Sequence, residues 1–189
     1  MTTTVFFIVN AVLFGIGLAM DAFSVSMANG LNEPDMSKKR MCLIAGTFCF
    51  FQIAMPLIGW ICVHTISEKF EAFQKFIPWI ALILLLYIGI KMIRERNDTE
   101  EAAVGYKDLF VQGVATSIDA LSVGFTIAEM NFSSALIEAL IIGVVTFIIC
   151  IGGLLIGKKF GTKLAGKAAV LGGCILIGIG IEIFLTGIF

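Results

Sequence analysis

The chain reads as an all-α integral membrane protein of six transmembrane helices, built as two inverted three-helix repeats. Three observations predict this. Hydrophobic residues make up 59% of the 189 positions and charged residues only 14%, with a mean hydropathy of +1.02, whereas soluble domains carry about a quarter charged residues. The charges are gathered into short segments between apolar runs long enough to cross a bilayer. Finally, Gly15–Val25 and Gly113–Val123 repeat one pattern of Gly, Asp-Ala and Ser-Val, with Asp119 standing 98 residues after Asp21. At about 20 apolar residues per crossing, six spans use nearly the whole chain, which excludes a separate catalytic or nucleic-acid-binding domain.

The first span runs from about Val5 to Gly30, and Asp21 is its only charge. Its start is not basic and its apolar run is long, so it does not read as a cleaved signal peptide. Met41 to Thr65, uncharged throughout, forms the second span. The third has its uncharged part from Phe76 to Ile90, about 22 Å at 1.5 Å per residue, so Lys91 must snorkel toward the interface. A polar linker, residues 94–108, then separates a first repeat, 1–93, from a second, 109–189. The second repeat comprises Leu109 to about Met130 around Asp119, Phe132 to Gly157, and Ala168 to Ile188. The second and fifth spans align through Gly59 and Gly157, and the third and sixth through Gly89 and Gly180, both only loosely.

Orientation follows from the basic residues. Lys38, Lys39, Arg40, Lys91, Arg94, Arg96, Lys107, Lys158, Lys159, Lys163 and Lys167 fall on one side of the predicted topology, and only Lys69 and Lys75 on the other. The positive-inside rule places the richer side in the cytoplasm and both termini outside. Three spans per half invert the second half relative to the first, an architecture of secondary transporters whose site lies near the midplane. The net charge of −1 indicates no particular partner.

An ionised carboxylate at the bilayer centre costs about 2.5 to 3.5 kcal/mol even on lenient insertion scales. A chain that places one in each half, in the same local context, is using the charge. A pseudo-twofold axis brings Asp21 and Asp119 toward each other at similar depth, where a divalent cation would neutralise both. Their neighbours are hard oxygen donors: Ser24 shares a helix face with Asp21, and Thr116 and Ser122 with Asp119. Gln52 is an amide deep in the second span, four residues before Pro56, which removes a backbone hydrogen bond and can free a carbonyl. Asp21, Asp119, Gln52, Ser24, Thr116 and Ser122 are therefore the expected metal site. Such donors suit Mg²⁺, Ca²⁺ or Mn²⁺ better than Zn²⁺ or Cu⁺. The alternatives are local. The hydroxyls can bond the carbonyl a turn earlier, Gln52 can tie helix to helix, and Lys91 can serve as an interfacial anchor. Glu138 and Glu182 are expected to line an outward vestibule. His64, at the end of the second span, reads as an interfacial group. Cys42, Cys49, Cys62, Cys150 and Cys174 contain no C-x-x-C pair and read as small apolar side chains.

The Met20–Val25, Pro56–Trp60 and Ala115–Ala120 segments resemble the signatures of the bacterial manganese efflux pump family, MntP, within the lysine-exporter superfamily. The resemblance extends over essentially the whole length, including the Ile177–Gly180 run. It implies export of Mn²⁺ across the inner membrane, with Mn²⁺ as substrate and not as cofactor, and with Asp21 and Asp119 matching the family's intramembrane aspartates. Some members carry an acidic residue where this chain has Gln52. The expected partners are the lipid bilayer, Mn²⁺ and, as a counter-ion, protons. Nucleic acid is not among them.

Three rival readings were weighed. An intramembrane aspartyl protease also uses one aspartate from each of two helices, but its Tyr-Asp and Gly-x-Gly-Asp contexts are absent, since Met20 and Ile118 precede the aspartates here. A thiol-disulfide carrier needs cysteines on the first and fourth spans, and there are none. Export of an amino acid or another cation is the remaining alternative.

Overall fold

The computed structural model describes residues 2–65, 77–94, 104–128 and 130–164, together with 170, 174, 175, 177, 178, 181, 184 and 185 of the last apolar run. Six helices cover most of these: α1 (Thr2–Asn32), α2 (Lys38–Thr65), α3 (Ile77–Arg94), α4 (Tyr106–Ala115), α5 (Ile118–Thr126) and α6 (Phe132–Leu164). Among the described residues there is no strand. Three helices hold stretches long and apolar enough to cross a membrane: Val5–Asn32, Lys38–Val63 and Phe132–Phe160. The chain is thus an all-α membrane protein that crosses the bilayer several times. Lys69, Lys75, Arg96 and Glu182 lie outside the described residues, as does most of the expected sixth span.

Local sequence sets the helix ends. Pro34 follows α1 within the Asn32-Glu33-Pro34-Asp35 turn, where a helix cannot continue. Ser37 opens α2, its hydroxyl accepting from the Arg40 amide at 3.3 Å. Asn131 opens α6 in the same way, its side-chain oxygen accepting from the Ser134 amide at 2.9 Å. Both are good N-caps because their side chains satisfy amides that have no intrahelical partner. All five thiols are free, but only Cys150 is buried.

The expected fourth span is not one helix. It breaks between α4 and α5 at Thr116 and Ser117. The Ser117 amide bonds the Val114 carbonyl at 3.2 Å in a three-residue closure, and the Ser117 hydroxyl donates to the Gly113 carbonyl at 2.6 Å. The Thr116 hydroxyl donates to the Gln112 carbonyl at 2.9 Å. Hydroxyls bonded back to the preceding turn compete with the helical ladder and bend it.

Packing runs between the chain's halves. α1 lies chiefly against α6, and α2 against α6 and α5, while α1 and α2 scarcely touch. Glycines decide where these helices cross. A Cβ on Gly30 would stand 2.5 Å from the Leu154 carbonyl oxygen and 3.1 Å from the Gly157 Cα, and one on Gly157 would stand 2.9 Å from the Gly30 Cα. At the other crossing a Cβ on Gly124 would stand 2.7 Å from the Gly59 Cα, and one on Gly59 would stand 3.1 Å from the Gly124 Cα. The two crossings share one geometry. Each glycine faces its partner glycine and the carbonyl three residues before it: Leu154 and Met27 in the first, Leu121 and Pro56 in the second. In lipid, where apolar contact alone drives little association, such close backbone approach is what holds helices together.

A buried amide pair joins α1 to α4. The Asn29 amide donates to the Gln112 side-chain oxygen at 2.7 Å, and Gln112 returns a bond to the Asn29 oxygen at 3.2 Å; both residues are fully buried. Gln112→Leu leaves the Asn29 amide unsatisfied and is expected to cost about 1 to 3 kcal/mol, whereas Asn29→Leu combined with Gln112→Leu recovers most of that loss. Thermal unfolding of the wild type and the two purified variants in detergent checks this. A double variant no more stable than the single one would contradict it.

Near this pair the basic end of the bundle is laced by polar contacts. Arg40 pairs with Glu33 at 3.4 Å, donates to the Val104 carbonyl and lies 5.8 Å from the Tyr106 ring centre. Lys158 donates to the Met36 carbonyl at 2.6 Å.

Candidate cation site

Asp21 sits in the middle of the unbroken α1 and is partly buried. Asp119 occupies a different local setting, the first turn of α5 directly after the Thr116–Ser117 break. Amides in a first turn have no partner within their own helix, and here the Ala120 amide donates to Asp119 Oδ1 at 2.8 Å. The Asp119 side chain is exposed although Ile118 and Ala120 on either side are buried. The structure brings the two aspartates within electrostatic reach of one another.

The other expected ligands are distributed around them. Gln52 is 1% exposed, and its amide donates to the Leu18 carbonyl at 3.2 Å, one turn before Asp21. That bond draws α2 toward α1 beside the aspartate and leaves the Gln52 oxygen as an acceptor. The Ser24 hydroxyl donates to the Met20 carbonyl at 3.1 Å, and Thr116 bonds back similarly at 2.9 Å. Each still presents oxygen lone pairs, but both have the local bond that a merely structural hydroxyl would make. Ser122 is exposed, like Asp119 three residues before it.

Among the described residues no three His, Cys, Asp or Glu side chains converge. A cation between the two carboxylates would find in them its charged donors, and any further coordination would have to come from amide, hydroxyl, carbonyl or water oxygens. Such a set suits a hard divalent cation held loosely enough to leave, as conduction requires. Sequence reasoning passed over Asn29 and Gln112. Their signal was available: Asn29 stands eight residues after Asp21 and Gln112 seven before Asp119, so two antiparallel spans bring them to one level.

A family described as "Putative manganese efflux pump" (Mntp) matches residues 35–184. A protein of Methanobrevibacter smithii named "Putative manganese efflux pump MntP" is 43% identical over 182 residues, 94% of this chain and 97% of its own length. The chain belongs to the manganese efflux pump family. Family members of the same printed name from Ruminiclostridium cellulolyticum and Methanosphaera stadtmanae are each 41% identical, over 94% and 93% of this chain and 95% and 98% of their own. These members are named as pumps and not as enzymes, which sets the protease reading aside. No solved structure matches the chain.

Proposed function

We propose that this chain exports Mn²⁺ from the cytoplasm across the inner membrane by alternating access, with Asp21 and Asp119 holding the ion near the midplane. The observation that carries the reading is the electrostatic proximity of two intramembrane aspartates, one from each half of the chain, in a member of a family named for manganese efflux. Gln52 supplies a neutral oxygen beside them, and Ser24, Thr116 and Ser122 supply weaker ones. Two negative charges compensate one dication, which removes most of the cost of keeping either carboxylate ionised in the bilayer.

Six spans in two inverted repeats, with the basic loops in the cytoplasm and both termini outside, complete the proposal. The paired glycine crossings support it, because exchanging the halves turns the α1–α6 contact into the α5–α2 contact. They also refine the motion. α1 packs on α6, and α2 on both α6 and α5, so the parts that rock against one another draw helices from both halves.

Mn²⁺ uptake into inside-out vesicles tests the function. Uptake is expected from vesicles carrying the chain, with little competition from Mg²⁺ or lysine. Uptake no faster than in empty vesicles would exclude Mn²⁺ export, and stronger competition by another cation would transfer the assignment to that ion.

A further inference from the structure

Glu138 is an intramembrane carboxyl group that the proposed cation site does not use. It lies on α6 six residues after Phe132, is 3% exposed, and its Oε2 is buried without a hydrogen-bond partner. Ala135 and Ile142, three residues before it and four after, share its helix face. They pack with Val123 of α5 and with Ile127 in the turn just after it, four and eight residues beyond Asp119. This small apolar cluster separates the aspartates from the end of the bundle opposite the basic loops.

The elements around α6 bring few groups that titrate or carry charge. α1 carries only Asp21 and α5 only Asp119, while α2 has Lys38, Lys39 and Arg40 in its first turn, Cys42, Cys49 and Cys62 along its length, and His64 at its end. Arg40 is engaged by Glu33 and Val104 at the basic end, as is Lys158 of α6 by Met36. A hard divalent ion takes six or more oxygens, and of the neighbours three and four residues away on this face only Ser134 brings one, Ala135, Ile141 and Ile142 being alkyl. A proton needs one oxygen. An ionised carboxylate with one oxygen buried and without a donor is disfavoured, and the neutral acid much less so.

We propose that Glu138 is a proton-carrying group of the transport cycle. It holds a proton while its side chain is buried, as it is here. Its O–H bond forms with a proton from the solution at the far end when the α5–α6 corner opens, and it breaks to the solution at the basic end when the bundle tips the other way. Protons then move opposite to the metal. The inference rests on the export reading above and extends it by naming the counter-ion and its carrier.

Proteoliposomes holding a pH dye, prepared with wild type, Glu138→Gln and Glu138→Asp, test it by recording Mn²⁺ flux and internal pH together. Wild type is expected to move protons against Mn²⁺. Glu138→Gln is expected to lose the proton signal and the stimulation by a pH gradient while exchanging isotopic Mn²⁺ for Mn²⁺ at the wild-type rate, and Glu138→Asp to regain proton movement. A Gln variant with the wild-type proton signal overturns the proposal, as does one in which isotope exchange is lost too. A wild type that carries Mn²⁺ without protons overturns this inference and leaves export standing. A wild type that carries no Mn²⁺ overturns both.

Discussion

Asp119→Asn is expected to reduce Mn²⁺ uptake into inside-out vesicles by roughly ten- to a hundred-fold, the equivalent of one charge-assisted contact of about 1.5 to 3 kcal/mol. Asparagine keeps the shape and the oxygen that accepts from the Ala120 amide, so the helix start survives. What disappears is half of the compensating charge. Asp21→Asn is expected to act in the same direction and with similar size, because the two carboxylates sense each other. Combining them should lose less than the sum of the single effects, since groups that share one ion act as a unit. Manganese binding read by the spin signal of Mn²⁺, alongside unfolding temperatures for each variant, separates lost affinity from lost fold. Wild-type transport by either variant would remove that aspartate from the site.

The second large effect concerns packing. Gly157→Ala and Gly59→Ala each put a Cβ against a partner's backbone, the Met27 carbonyl and Gly30 Cα in one case, the Leu121 carbonyl and Gly124 Cα in the other. Backbone cannot swing aside as a side chain can. Each change is expected to destabilise by about 1 to 3 kcal/mol, and leucine at either position to prevent assembly. Gly17→Ala and Gly46→Ala supply the contrast, because nothing lies within 4 Å of a Cβ at those positions. There the same substitution is expected to stabilise by about 0.5 to 1 kcal/mol through helix propensity. Melting curves in detergent read the sign directly. Equal responses at all four positions would mean that the crossings are not the contacts that hold the bundle.

Much of the fold was legible because lipid imposes a severe rule on composition. The uncharged runs place α1 and α2 to within about three residues at each end and α6 at its start, since a charge within them has an immediate cost, while α6 continues past Gly157 through Lys158 and Lys159 to Leu164. The break at Thr116 and Ser117 was not read, for a physical reason. Of the two hydroxyls that make it, Thr116 is equally suited to a cation, and a residue type does not say whether its oxygen faces an ion or its own backbone. Helix pairing was equally hidden. A glycine marks a close approach, but which helix approaches is decided by all the others, so nothing in the sequence around Gly59 and Gly157 points to Gly124 and Gly30 as the glycines they face. Those partners also differ in register. Gly30 comes nine residues after Asp21, and Gly124 only five after Asp119, a difference of about one helical turn in a half whose helix is broken.

The exchange of partners between halves bears on how the protein is made. When a ribosome has finished the first hundred residues, α1 and α2 already lie in the bilayer, yet neither has met the helix it mainly packs against. Both wait as separate, lipid-solvated rods until Phe132–Leu164 emerges and slots Gly157 against Gly30. Assembly therefore becomes a late event, and a chain cut short in the linker leaves α1 and α2 without the helix they pack on, a ready target for membrane quality control.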